Sequence, residues 1–328
     1  MMRTLSLLLI GAVLIGFCHS AESQQPAKVP TVGWLIGREA SAGTYRFNEL
    51  TQRVLRELGY IENQNIRFEY RYAENKFERL PALADELVRL KVDVIYAASA
   101  NAALAAKNAS RTIPIVFVST TDPIVNGLVQ SLARPGGNVT GFTTIAPMLV
   151  GKRLELLKET IPRLSRIAFL WNPLNPTSKQ EWKEGELEAQ RLGLKLHSME
   201  VSSSENLEHA FEGAMNAGSS GITVAFDGAI NAKQKRIAQL AISNRLPMVC
   251  PREDFVQSGG LLSYGPDQAE PYRRVASMID KILKGSKPVE IPVEQPKKFE
   301  FVINLKTAKQ IGLTIPPNVL ARADRVIK

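Results

Sequence analysis

The chain has 328 residues, 45% of them hydrophobic and 22% charged. This excludes bulk disorder and leaves room for two domains of roughly 150 residues each. Its formal charge of +9 is spread without a dense Lys/Arg run or interleaved aromatics, so no nucleic-acid partner is expected.

Residues 1–23 read as an export signal. Met1-Met2-Arg3 is a basic start, Leu5 to Phe17 an apolar run too short to span a bilayer comfortably, and Cys18 to Ser23 a small-residue exit. Cleavage after Ser20 and after Ser23 both fit the small-x-small rule, and Phe17 is a poor neighbour for lipid attachment at Cys18. Removal of the signal leaves Cys250 alone, so the mature chain has no internal disulfide. A periplasmic location is expected.

From Thr31 the pattern alternates strand and helix. Thr31–Gly37 reads as a strand, followed by Phe47, Leu50, Val54, Leu55 and Leu58 on one helical face that stops at Gly59. Ile66–Tyr72 alternates like a strand, and Phe77 to Val88 is a second amphipathic helix. Val92–Ala98 and Ile113–Val118 are near-continuously apolar, the mark of strands buried on both faces of a parallel sheet. They open into Ser99-Ala100-Asn101 and Ser119-Thr120-Thr121-Asp122-Pro123, and in open sheets ligands bind just past such strand ends.

The run Arg134–Gly141 interrupts this rhythm and reads as a turn. The cycle then restarts with strands at 166–171, 194–201, 221–226, 246–249 and 259–265 and helices between them. A last amphipathic helix carries Tyr272, Val275, Met278, Ile279 and Ile282. Lys287–Pro296 reads as a linker, Phe299–Asn304 as a final strand, and a closing helix is expected after Pro317. Two halves of like grammar predict two lobes, residues 30–141 plus 257–285 and residues 142–256 plus 286–328.

Enzyme and cofactor signatures are missing. No Gly-x-Gly-x-x-Gly follows the first strand, and the glycine turn at 136–141 leads into Phe142-Thr143 where a phosphate loop needs Lys-Ser/Thr. There is no Gly-x-Ser-x-Gly. His197 and His209, the histidines of the mature chain, have no metal spacing. No cofactor, metal or catalytic residue is expected.

Polar residues instead gather at strand ends: Ser41, Ser99, Asn101, Thr121 and Asp122 in the first half, and Asn172, Asp227 and Tyr264 in the second. Helix starts near Ser99–Ala102 and Asn175–Ser178 favour an anionic group, and Asp227 or Asp122 would suit an amine. Helix capping and turn formation account for each of these residues equally well when taken singly.

The runs Leu-Gly-Tyr-Ile-Glu-Asn-Gln-Asn-Ile (58–66), Arg-Leu-Pro-Ala-Leu-Ala-Asp-Glu-Leu-Val (79–88), Ala-Arg-Pro-Gly-Gly-Asn-Val-Thr-Gly (133–141), Trp-Asn-Pro-Leu-Asn-Pro (171–176), Gly-Gly-Leu-Leu-Ser-Tyr-Gly (259–265) and Phe-Glu-Phe-Val-Ile-Asn-Leu-Lys-Thr-Ala-Lys (299–309) resemble the bacterial ABC-transporter substrate-binding proteins of the tryptophan-binding type. Asn63, where the family usually has glycine, and Arg38-Glu39, where small residues are usual, depart from the pattern.

The resemblance implies an α/β type I periplasmic-binding-protein fold, with two Rossmann-like lobes, parallel sheets and a three-crossover hinge. It also implies a monomer that captures an amino acid or related carboxylate, aromatic ones included, by cleft closure. An inner-membrane ABC permease and its ATPase would receive the ligand. By position, Ser99, Ala100, Asn101, Thr121, Asp122, Asn172, Asp227 and Tyr264 match the cleft-facing motifs. A ligand-sensing module for a membrane receptor, or a secreted hydrolase on the same plan, are the alternatives.

Overall fold

The computed structural model describes residues 28–38, 42–201 and 207–328. Residues 1–23, read above as an export signal, and Glu39 and Ser41 lie outside them. In chain order the first elements are β1 (Thr31–Ile36), α1 (Ala42–Glu57), β2 (Arg67–Tyr72), α2 (Leu80–Arg89), β3 (Val94–Ala97), α3 (Ala100–Ala109), β4 (Ile115–Ser119) and β5 (Val139–Thr143). These strands make one parallel sheet in the order β2-β1-β3-β4-β5.

Strand periodicity decides which helix each residue meets. Val32, Trp34, Ile36, Val94, Tyr96, Val116 and Val118 point to one face, against Leu55 of α1 and Val275, Met278 and Ile279 further along. Leu35, Ile95, Ala97, Ile115 and Phe117 point to the other, against Leu83 and Leu87 of α2 and the alanines of α3. Each fully buried large side chain contributes about 1.5–3 kcal/mol of transfer free energy, which is why these short strands hold.

The second run comprises α4 (Val150–Thr160), β6 (Arg166–Trp171), α5 (Pro176–Arg191), β7 (Lys195–Glu200), α6 (Leu207–Asn216), β8 (Ile222–Val224), α7 (Gly228–Ala232), α8 (Gln234–Ser243), β9 (Met248–Cys250), α9 (Glu253–Gln257) and β10 (Leu262–Pro266). After these come α10 (Glu270–Leu283), β11 (Phe299–Asn304), α11 (Leu305–Gln310), α12 (Pro317–Leu320) and β12 (Arg325–Ile327). The second sheet runs β12-β11-β10-β9-β8-β6-β7, with only the β10–β11 pair antiparallel.

This is the two-lobed, type I periplasmic-binding-protein architecture that the resemblance implies. The chain passes between lobes three times, near residues 143–146, 266–270 and 294–299. At the first passage Ile145 sits at φ 46°, a left-handed conformation that a β-branched side chain rarely adopts.

Three expectations change. Residues 139–143 are not turn but the edge strand β5, too short and too rich in Thr and Gly to show an apolar period. Gly141 is obligatory there, because a Cβ would lie 2.2 Å from the Phe117 carbonyl oxygen. β10, which falls within residues 257–285 expected in the first lobe, belongs to the second sheet, and of those residues it is α10 that packs on the first lobe. The segment read as a linker returns to the first lobe: Thr140 Oγ1 donates to the Ile291 carbonyl at 2.7 Å, and Thr143 N donates to that of Glu294 at 2.9 Å.

Asn63 has φ 63°, the left-handed region where glycine is at ease and asparagine is tolerated. Its substitution for the family's usual glycine therefore preserves the turn.

Candidate ligand cleft

The carboxyl ends of the two sheets face each other. On the second lobe, β6 and β8 end in a polar lattice built around Asp227, which is 3% exposed. Its Oδ1 accepts from Ile230 N at 2.9 Å and so caps α7. Its Oδ2 accepts from Asn175 Nδ2 at 2.7 Å and Asn172 Nδ2 at 3.2 Å. Asn172 in turn takes the Leu174 amide on its Oδ1, while Asn175 Oδ1 accepts from Thr177 N at 2.9 Å to cap α5. The sequence thus brings Asn172 and Asp227 together, and spends their polar atoms on each other and on the backbone.

A buried ion pair lies behind this lattice. Arg153 of α4 and Glu181 of α5, 1% and 0% exposed, meet at 3.3 Å. Glu181 Oε2 also accepts from Phe226 N at 3.1 Å, and Arg153 Nη2 donates to the Ala146 carbonyl at 3.3 Å. Burial raises the Glu181 pKa and lowers that of Arg153, and their mutual attraction opposes both shifts. The pair ties the first lobe crossing to the backbone at Phe226, on the cleft side.

Of the first-lobe residues singled out by sequence, Ser99, Thr121 and Asp122 stand past the strand ends with local partners. Ser99 caps α3 by accepting from Ala102 N at 3.2 Å. Asp122 Oδ1 accepts from Ile124 N at 2.7 Å, closing its own turn. Thr121 is buried and accepts from Asn126 Nδ2 at 2.6 Å. Ala100 is half-buried and Asn101 exposed, both on the first turn of α3. Tyr264 stacks on Phe299 within the second lobe, their ring centroids 5.9 Å apart. Trp171 likewise stacks on Trp182 at 5.4 Å.

The surface that joins the lobes is aromatic and cationic. Phe47 of α1 stacks on Tyr272 of α10 at 4.5 Å and 15°. Across from them, the Arg252 guanidinium carbon lies 6.0 Å from the Phe47 ring and 5.9 Å from that of Phe226, within cation–π range of a ring on each lobe. Asp254 accepts from Arg252 Nε at 3.0 Å. Arg38, just past β1, reaches the second lobe: a Cβ added at Gly228 would lie 3.1 Å from its Cζ. Thr120 and Thr177 hydroxyls complete the crossing at 3.0 Å.

Sequence reasoning missed Phe47, Phe226, Arg252 and Tyr272. Phe47 and Tyr272 were read simply as members of apolar helical faces, and Phe226 as the end of a strand. The available signal was position: all four stand at strand ends or near the first turn of a helix, where a side chain reaches over the sheet edge.

Among the described residues no helix is long and apolar enough to cross a membrane, and no group of three or more His, Cys, Asp or Glu is placed to hold a metal ion. Cys250 is buried, and burial pushes its thiol pKa well up.

A family model described as ABC transporter substrate binding protein matches residues 43–327. A tyrosine-binding protein of Clostridioides difficile (strain R20291) is 29% identical over 264 residues, spanning 80% of this chain and 75% of the relative. A Streptococcus pneumonia ABC domain in complex with L-Trp superposes with a TM-score of 0.77 at 28% identity, covering 91% of this chain and 99% of that one. A conserved domain protein from Vibrio cholerae O1 biovar El Tor gives a TM-score of 0.79 at 28% identity, over 91% and 100% of the two chains.

Proposed function

Because the chain belongs to the ABC transporter substrate-binding protein family, we propose that it is an exported receptor for a small aromatic carboxylate, amino acids included, and that it delivers this ligand to an inner-membrane permease driven by an ATPase. The observation that carries the reading is the patch formed by Phe47 and Tyr272 on one lobe and by Phe226 and Arg252 on the other. An aromatic ligand held between such walls touches both lobes at once. It stabilises the closed form by its differential affinity for it, with no chemical step.

The tyrosine-binding relative and the L-Trp complex support the aromatic class. Asp227, Asn172 and Ser99 serve this function by fixing the loops that carry the wall.

Isothermal titration of the mature chain with aromatic amino acids and aryl carboxylates tests the reading, expecting stoichiometric binding and recovery of unchanged ligand. Absence of binding across the set would remove the aromatic class, and turnover of a bound compound would favour the hydrolase alternative. Loss of uptake of the identified ligand on deleting the gene checks delivery.

A further inference from the structure

The charge of the ligand follows from a count of the groups at the lobe junction, and this step rests on the aromatic-carboxylate reading. Two guanidinium groups reach the patch. Arg252 is answered by Asp254, at 3.0 Å from Nε to Oδ1 and 3.1 Å to Oδ2. Arg38 makes no ion pair or hydrogen bond among the described residues, and its head lies over the Gly228 backbone of the opposite lobe. Both cations act on the Tyr272 hydroxyl, where they oppose the rise that burial imposes on its pKa. Gly228 lies two residues past Phe226, whose ring is within cation–π reach of Arg252, so the Arg38 head approaches the same junction.

The carboxylates nearby are committed. Asp227 accepts from one backbone amide and two side-chain amides, Glu181 is buried against Arg153, and Asp122 closes its own turn. Among the described residues one positive charge stands unanswered, and the carboxylates of Asp227, Glu181 and Asp254 are not open to an ammonium. An ammonium brought into this space would lose water beside two guanidiniums without a counter-charge, whereas a carboxylate would gain a planar, two-pronged partner in Arg38.

We propose that the preferred ligand is a net anion, an aromatic carboxylate that lacks an ammonium group, and that Arg38 binds its carboxylate between the lobes while the ring lies against Phe47, Tyr272 and Phe226. Arg38 is then the residue that sets specificity within the aromatic class. Its pairing with the ligand also replaces its bare approach to Gly228, so the charge is met only when the lobes are together.

Matched pairs test this by isothermal titration of the mature chain: phenylalanine against 3-phenylpropionate, tyrosine against 3-(4-hydroxyphenyl)propionate, and tryptophan against indole-3-propionate. The member without the amine is expected to bind at least about tenfold tighter in the best pair. Arg38→Gln should lose about tenfold or more of that affinity with an unchanged thermal midpoint of the ligand-free protein. Amino acids binding equally or more tightly overturn the inference and leave the aromatic reading standing. Binding by neither member of any pair removes both. Full affinity in Arg38→Gln overturns the role given to that residue.

Discussion

The two walls of the cleft are built on different principles. The second-lobe wall rests on polar groups bonded to one another: Asp227 with Asn172 and Asn175, and behind them Arg153 with Glu181, of which Asp227 and the ion pair are buried. The first-lobe wall offers an aromatic stack, Phe47 on Tyr272, and Arg38, a guanidinium without a counter-ion among the described residues. Buried polar atoms that have partners give shape, and their energetic weight lies in what is lost when one partner goes. Half-buried rings and a charge left unpaired among the described residues have fewer such obligations, which suits them to the ligand contact proposed above. Polarity at a strand end thus does not by itself separate a residue that holds a loop from one that is open to a ligand.

Substitutions can break or sharpen that contrast. The largest effect is expected from Glu181→Ala, which leaves the Arg153 charge buried without a counter-ion and should cost about 3–5 kcal/mol of unfolding free energy. Urea denaturation reads this directly, and a loss under about 1 kcal/mol would put the pair in the class of exposed ones. Asp227→Ala removes a helix cap and the shared acceptor of two amides, for about 2–3 kcal/mol. Should that variant keep its stability and lose only ligand affinity, Asp227 would face the ligand and the distinction between the walls would fail.

On the other wall the expected signs reverse. Phe47→Leu keeps an apolar body but removes the aromatic face, so affinity should fall about tenfold while stability changes by under about 1.5 kcal/mol. Gly228→Ala puts a methyl 3.1 Å from the Arg38 head, whose flexible end has to shift. Binding should weaken by less than about tenfold, with ligand-free stability unchanged, as titration and thermal melting together would show.

The smallest effect lies away from the cleft. The Tyr60 hydroxyl donates to Asp280 at 3.0 Å, and burial first, then that carboxylate, push its pKa from 10.0 to about 12. Below pH 10 the phenol is protonated in both states. Between about 10 and 12 the unfolded chain ionises first, so the contribution is lost as pH rises. Tyr60→Phe should flatten stability across that window without touching ligand affinity, a control for the cleft variants.

Much of the fold was legible in the sequence because burial on both sheet faces leaves apolar runs such as Val94–Ala97 and Ile115–Ser119, and helices carry one-sided stripes such as that of α10. β5 was not legible, since Thr140 and Gly141 are chosen by the Ile291 carbonyl and the Phe117 backbone, partners far away or across the sheet. The same reason hid β12, which forms only because β11 offers it an edge. The crossing points were misjudged near residues 257–294, where a glycine turn looks the same whether the chain changes lobe or merely reverses within one.

The sequence by itself determined the alternating α/β order, the family and where the strands end, because those depend on local periodicity and on runs of adjacent residues. Only the tertiary structure decided which strand-end residues were spent on one another. Asp227 and Asn172 are 55 positions apart, and nothing local says that one answers the other. Likewise only folding brings Phe47 against Tyr272 and carries Arg38 to Gly228, since a stacking distance and an unanswered charge are properties of neighbours in space.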